Sequence, residues 1–354
     1  MLFASRLRNR KPTPTRASAA SFRPRLESLD DRLVPSTLKV TSPADSGPGT
    51  LRYELAHANG SGKDTITFDN RLGTINLTEQ LNVTTGVTIK GPGAAALRIT
   101  TNYNFGDPWG QSTRAFEVNA SRPVVISGVS ITDNGGSPEG AAVLNHSQLT
   151  LSGCDLSENE ADRGGAVYNL GTLTLTDCTL KNDRGPAGGG AVYNAGTMTV
   201  TGCTFSFDTS LAPGVAGGAI SNAGTLAVGT STFVRDDIAG PYTDRGGNTF
   251  VTAAPQIGSV TATPGTVAAG GTVTLTVSGI TDANPGAVIS QVLVSVNSIT
   301  FPPSGYSATQ TSPGVWTFTF DTTGWAAGTY TLNAAAVDSY GVASSWASVT
   351  VQVV

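Results

Sequence analysis

The sequence predicts an all-β protein in two parts, a parallel β-solenoid followed by a β-sandwich. Three observations carry that expectation. Charged residues fill only 13% of the 354 positions while Gly supplies 43, a composition of short strands and tight turns. A strand-and-turn unit recurs every 24–28 residues through the middle of the chain, the mark of a stacked repeat. From residue 255 the pattern changes to longer strands with period-two alternation, separated by Pro264-Gly265, Gly270-Gly271 and Asn284-Pro-Gly286.

Residues 1–36 are rich in Arg, Pro, Ser and Ala without apolar periodicity, so they are expected to form a disordered leader. Residues 1–32 carry a local charge of +5 and the rest of the chain −9, for a net −4. Nucleic-acid recognition needs basic side chains along the contact surface. The folded part lacks them, which excludes that class. No run approaches the ~18 apolar residues of a membrane-spanning helix, and the leader lacks the apolar core of ~7–15 residues of a secretory signal.

The segment Thr50-Leu-Arg-Tyr-Glu-Leu-Ala-His-Ala58 puts Leu51, Leu55 and Ala58 on one helical face, with Thr50 as N-cap. Such a helix is expected to cover the open end of the solenoid. Less regular strands follow at Thr65–Phe68, Thr74–Leu77, Val87–Lys90 and Leu97–Thr100. The regular repeats are Leu149-Thr-Leu-Ser-Gly-Cys154-Asp-Leu, Leu173-Thr-Leu-Thr-Asp-Cys178-Thr-Leu, Met198-Thr-Val-Thr-Gly-Cys203-Thr-Phe and Leu226-Ala-Val-Gly-Thr-Ser231-Thr-Phe. Val124-Val-Ile-Ser-Gly-Val129-Ser-Ile precedes them in the same frame.

Alternation in Leu173-Thr-Leu-Thr points Leu173 and Leu175 inward and Thr174 and Thr176 outward. Gly153, Asp177 and Gly202 then form a corner that resets the phase, so that Cys154, Cys178 and Cys203 point inward. Stacked coils ~4.8 Å apart turn each repeated residue into a ladder. The cysteines, 24 and 25 residues apart, fit no zinc motif and are expected buried and reduced, as small hydrophobes. Asn145, Asn169, Asn194 and Asn222 follow Gly-Gly-Ala-Val/Ile turns or their equivalent. They are expected to bond side chain to side chain, at positions that tolerate left-handed backbone.

Taken together, the stretch from Asp45-Ser-Gly-Pro-Gly-Thr-Leu-Arg52 to Asp64-Thr-Ile-Thr-Phe68 resembles the opening of bacterial right-handed parallel β-helix surface proteins. The repeats are similar to those of polymorphic outer-membrane proteins, which pair Gly-Gly-Ala-Ile/Val with Phe-x-x-Asn. Here the second element reads Ile131-x-x-Asn134, Leu156-x-x-Asn159, Leu180-x-x-Asp183, Phe205-x-x-Asp208 and Phe233-x-x-Asp236. Three of the five end in Asp, a departure from that pattern. The segment Phe22-Arg-Pro-Arg-Leu-Glu-Ser-Leu-Asp-Asp-Arg-Leu-Val-Pro-Ser36 resembles the N-terminal motif of exported and surface proteins of planctomycete bacteria. These resemblances imply a pectin-lyase-like solenoid and a secreted or cell-surface location.

Residues 37–252 are thus expected to form the β-helix with its capping helix, and residues 255–354 an immunoglobulin-like β-sandwich. In the latter, Gly328-Thr-Tyr-Thr-Leu332 with Asp338 and Gly341 resembles the late strands of bacterial Ig-like repeats. With no Cys pair, that domain must be held by its core.

Chemistry is harder to place. Pectate lyases share the β-helix fold, and the likeness would imply clustered acids binding Ca²⁺ beside a basic Arg. The candidates are Asp162-Arg163, Asp183-Arg184 and Asp244-Arg245. Each also reads as a solvated turn. The column Asn134, Asn159, Asp183, Asp208 and Asp236 admits two readings: Ca²⁺ held by Asp183, Asp208 and Asp236, or side chains that bond the turn and splay into water. Outward Thr174, Thr176, Thr199 and Thr201 suit contact with ice or a glycan, but Thr is also simply a good strand former on a solvated face, and Ala227 and Gly229 break the array. His57, His146 and the four tryptophans Trp109, Trp316, Trp325 and Trp346 read as structural. No catalytic residue or cofactor is assigned. The expected role is structural or adhesive, for a monomer contacting extracellular glycans or surface proteins, with a polysaccharide lyase or glycoside hydrolase as the alternative.

Overall fold

A computed structural model describes residues 36–59, 64–101, 113–210, 218–296 and 306–354 of the chain. The leader up to residue 35 and Trp109 lie outside the described residues. Ser36, counted with the leader in the sequence reading, is ordered by Asp64, which accepts from its N–H and its hydroxyl, both at 2.9 Å.

The chain winds into coils whose strands stack in three parallel sheets of nine, eight and seven strands, with a two-stranded parallel sheet of Gly135–Glu139 and Glu160–Arg163 beside them. Residues one coil apart pair directly. Leu149, Leu173, Met198 and Leu226 form one such file and Leu151, Leu175, Val200 and Val228 another. These side chains are buried in a single apolar core that runs from Val40 to Phe233. Burying each contributes on the order of 1.5–3 kcal/mol.

Two left-handed corners turn each regular coil. The first is Gly153 (φ 57°), Asp177 (51°), Gly202 (66°) or Thr230 (50°), and the second is Glu158 (60°), Asn182 (54°), Phe207 (60°) or Arg235 (57°). An αL residue costs an L-amino acid roughly 1–2 kcal/mol. Here it reverses the pleat, so that the next strand again presents its apolar side to the interior. Phe205, Phe233 and Phe250 lie on the second sheet in consecutive coils with rings 4.9 and 4.8 Å apart, close to the strand spacing.

The capping helix spans Leu51–His57, and the Thr50 hydroxyl accepts from Tyr53 N–H at 3.2 Å. Leu51 and Ala58 are buried and Leu55 packs on the core, so the helix covers the first coils through the predicted face. At the other end, strands between Ser259 and Val353 form a four-stranded and a five-stranded sheet among the described residues. Val273, Leu275, Val277, Trp316 and Phe320 of one sheet share a second core with Val292, Val294, Leu332, Ala334 and Val351 of the other. All pairings are antiparallel except Thr266–Val267 with Gln352–Val353. Trp316 is buried, Trp325 is packed against that core and Trp346 is exposed.

A small third cluster joins the two parts. Val234 and Val251 from the last coils meet Val342 of the sandwich, with Phe207, Ala254 and Tyr340 around them. Asn284 clamps the connection, donating to the Ala253 carbonyl at 2.8 Å and accepting from its N–H at 3.2 Å.

Candidate functional site

Three polar columns run inside the solenoid. Asn145, Asn169, Asn194 and Asn222 each end a strand of the third sheet. The Nδ2 of one donates to the Oδ1 of the next at 2.7, 2.7 and 2.6 Å. Each Nδ2 also donates to the carbonyl two residues on, at 3.0–3.3 Å. None of the four has positive φ. The left-handed geometry expected of them belongs to the corner residues instead. A strand-end backbone is what lets one amide reach both its own turn and the next coil.

Cys154, Cys178 and Cys203 are buried free thiols. Each donates to the carbonyl two residues back, Ser152, Thr176 or Thr201, at 3.3–3.5 Å. Ser231 repeats the bond to Gly229 at 3.0 Å. Sulfur therefore fills space and ties off one carbonyl per coil. The bond to Cys178, with burial, raises the Cys154 thiol. At Cys178 the bond from Cys154 acts downward, but Cys203 and burial push it up to about 12.

The third column departs most from expectation. Asn134, Asn159, Asp183, Asp208 and Asp236 do not splay into water; they are 0–5% exposed. The left-handed residue before each turns its side chain inward. Oδ1 of each member accepts the backbone N–H of the residue one coil earlier, at 3.4 Å for Asn134 to Asn159, then 2.8, 2.8 and 3.0 Å. Oδ2 of Asp183, Asp208 and Asp236 has no partner.

The glycine turns pack onto this column. A Cβ on Gly218 would sit 2.9 Å from Asp236 Oδ1, and one on Gly190 would sit 2.9 Å from the Asp208 carbonyl carbon. Gly165 and Asp183, Gly190 and Asp208, and Gly218 and Asp236 are all 18 residues apart. That constant offset is the signal in the sequence that the two repeat motifs meet in space.

The Asp-Arg pairs do not converge. Asp183 is interior, while Arg184 beside it faces out to Glu160 at 3.4 Å. The Arg163 guanidinium covers the Tyr193 ring at 5.6 Å, and Tyr193 stacks on Tyr168. Asp244 is taken up by Gly246 N–H and Asn248 Nδ2, both at 2.7 Å. His57 stacks on Tyr53 with rings 3.9 Å apart, and His146 Nε2 lies 3.8 Å from Glu117.

The outward face of the nine-stranded sheet sets side chains in registered files. Its central file reads Thr37, Thr65, Thr88, Val125, Thr150, Thr174, Thr199, Ala227 and Thr243. The next file is Lys39, Thr67, Lys90, Ser127, Ser152, Thr176, Thr201 and Gly229. The central file extends the Thr array toward the N-terminal coils, while Ala227 and Gly229 interrupt both files where the sequence predicts.

Coils stacked on three parallel sheets define a parallel β-solenoid. Residues 63–237 match the family model of the right handed beta helix region. No curated protein and no solved structure matches the chain.

Proposed function

We propose that the chain is a secreted or cell-surface scaffold of adhesin-like type, whose solenoid presents a flat hydroxyl-rich sheet to glycans or surface proteins. In this reading the C-terminal sandwich is an immunoglobulin-like domain, and the leader directs export. The observation that carries it is the central Thr file, seven of nine registered positions on one face. Thr hydroxyls both donate and accept, and a rigid sheet holds them at fixed spacing with little left to order on binding.

A glycan array and a whole-cell binding screen with the folded protein test this. Binding is expected, and it should be lost in a Thr150→Lys, Thr174→Lys, Thr199→Lys variant whose circular dichroism is unchanged. Binding that survives those changes would move the site off this face.

One observation favours a polysaccharide-active enzyme as the second reading. A hollow of about 210 Å³ is lined by Gly136, Pro138, Glu160 and Asp162, with Arg163 next in sequence. Cleavage of a uronate polymer, abolished by Glu160→Gln or Asp162→Asn, would establish it.

A further inference from the structure

The interior column changes chemistry along its length without changing geometry. Asn134 Nδ2 donates to Asn159 Oδ1 at 2.9 Å and to the Thr132 carbonyl at 3.0 Å. Asn159 Nδ2 donates to Asp183 Oδ1 at 3.0 Å and to the Ile131 carbonyl at 3.1 Å. From Asp183 onward the same place is filled by a carboxyl oxygen. The backbone N–H bonds to Oδ1 continue at 2.8 and 3.0 Å, and Oδ2 stands where the amide donor stood, buried and unpartnered in three successive coils. An ionised file would hold three carboxylates ~4.8 Å apart in an apolar interior. Stacked in file, they share no common centre for a metal ion.

We propose that Asp183, Asp208 and Asp236 are carried as neutral carboxylic acids, Asp183 Oδ2–H donating to Asp208 Oδ1 and Asp208 Oδ2–H to Asp236 Oδ1, with Asp236 ending the file. Protons then lock the last coils of the solenoid, and their release to water as pH rises loosens them. A carboxylic acid has one O–H donor and spare acceptor capacity, so it reproduces the coil-to-coil bond of the amide ladder but not the amide's second bond to a strand carbonyl.

Of the charged groups around the column, Asp155 acts on Asp183 and Asp237 on Asp236, both in the direction that favours the neutral acid. Asp155, Lys181 and Arg184 on its own coils, Arg235 and Asp237 at its end, and Glu160, Asp162 and Arg163 on the neighbouring two-stranded sheet are all at least partly exposed. At the sandwich junction, Asp338 Oδ1 is occupied by the N–H groups of Tyr340 and Val342, and Asp282 Oδ1 by Asn284 N–H. None of these bonds reaches the column.

Electrostatics act in the same direction. Burial holds Asp183 well above the usual carboxylate range despite its bonds from Asn159. Burial, then the flanking acids, does the same at Asp208. Burial raises Asp236, at the end of the file, to about 7. With folded values above the unfolded value near 3.8, the stabilisation is complete below that value. It is lost as pH climbs through the folded ones.

The test compares thermal unfolding of the full chain and its Asp183→Asn, Asp208→Asn, Asp236→Asn variant at about pH 5 and about pH 8.5. The parent melting temperature is expected to fall by several degrees over that range while the variant stays level. His57 and His146 are common to both proteins and cancel. Infrared difference spectra of the parent at about pH 6 should show the carbonyl stretch of protonated carboxyls, a readout that holds even if the variant fails to fold. A parent melting temperature that is flat or rising with pH overturns the proposal. So does absence of the protonated band, or a rise in parent stability on adding Ca²⁺.

Discussion

Both N–H groups that Asn159 offers to the following coil end on one oxygen, Asp183 Oδ1, the backbone at 2.8 Å and the side chain at 3.0 Å. This contact is where an amide ladder hands over to an acid ladder. Asn and Asp are interchangeable there in shape and in Oδ1 chemistry but not in what the second atom can donate. The column therefore keeps its register through the change.

The Asn ladder of the third sheet has no such substitute. Asn169 accepts from Asn145 and donates to Asn194 and to the Gly171 carbonyl, wholly buried. Asn169→Ala removes these bonds and strands polar groups on both neighbours. Denaturant unfolding is expected to show a loss of about 2–4 kcal/mol, against less than ~0.5 kcal/mol for the surface change Thr174→Ala. Equal effects would mean the ladder carries no stability of its own.

The thiol column predicts a graded response. Ser231 already occupies the Cys register, accepting from Cys203 N–H at 3.2 Å. Cys178→Ser should therefore fold with a modest loss. Cys178→Asp should cost several kcal/mol, because a charge enters the apolar core without a partner. In the native protein all three thiols should react with a labelling reagent far more slowly than in the unfolded chain. Rapid labelling of all three would contradict their interior placement.

Much of this was legible in the sequence because a solenoid repeats its information. The inward leucines, the cysteine register and the Asn file each recur at coil spacing, so periodicity alone placed them. Depth was not legible for Asp183, Asp208 and Asp236. A carboxylate three residues beyond an apolar residue ordinarily faces water, and only the left-handed backbone at Asn182, Phe207 and Arg235 reverses it. No residue preference announces that conformation in Phe or Arg. The Thr file was legible in the regular coils but not at Thr37, Thr65 and Thr88, where coil lengths vary.

The contact between glycine turn and acid column makes a steric prediction. A Cβ on Gly190 would lie 2.2 Å from the Gly218 carbonyl oxygen and 2.4 Å from Thr209 N, both backbone atoms of neighbouring coils. Gly190→Ala must push coils apart and is expected to cost several kcal/mol. Gly153 is the control: it has φ 57° but open space around its Cβ position. Gly153→Ala carries only the left-handed backbone penalty of roughly 1–2 kcal/mol. Comparable melting temperatures for the two variants would show that the coils yield.

The junction bears on whether the sandwich folds alone. Its core is separate from the solenoid core, and among the described residues the Val234, Val251 and Val342 cluster with its flanking side chains and the Asn284 clamp bridge the parts. Residues 255–354 expressed alone are expected to melt cooperatively with β-type circular dichroism. An unfolded spectrum would make the sandwich dependent on the last coil, and the proposed boundary would be dropped.

The N-terminal end should respond to pH with the opposite sign to the acid column. Asp64 accepts from Ser36 N–H and hydroxyl on Oδ1 and from Asn59 N–H on Oδ2 at 2.7 Å, pinning the first strand and the exit of the capping helix together. Burial acts to raise this carboxyl, but the bonds from Ser36 and Asn59 outweigh it and hold it below the usual range. With the folded value depressed, the stabilisation is present above the unfolded value and is lost as pH falls through the folded one. Asp64→Asn keeps Oδ1 for Ser36 but turns an amide donor toward Asn59 N–H. At neutral pH it is expected to cost about 1–3 kcal/mol. Hydrogen exchange reads this locally, as reduced protection of the Thr65 and Thr88 amides that bond around this corner. Acid should weaken the same amides in the parent while leaving those beside Asp208 protected, and alkali should do the reverse. Acid-weakened protection at both ends would show that the two sets of carboxyls are not held in opposite protonation states.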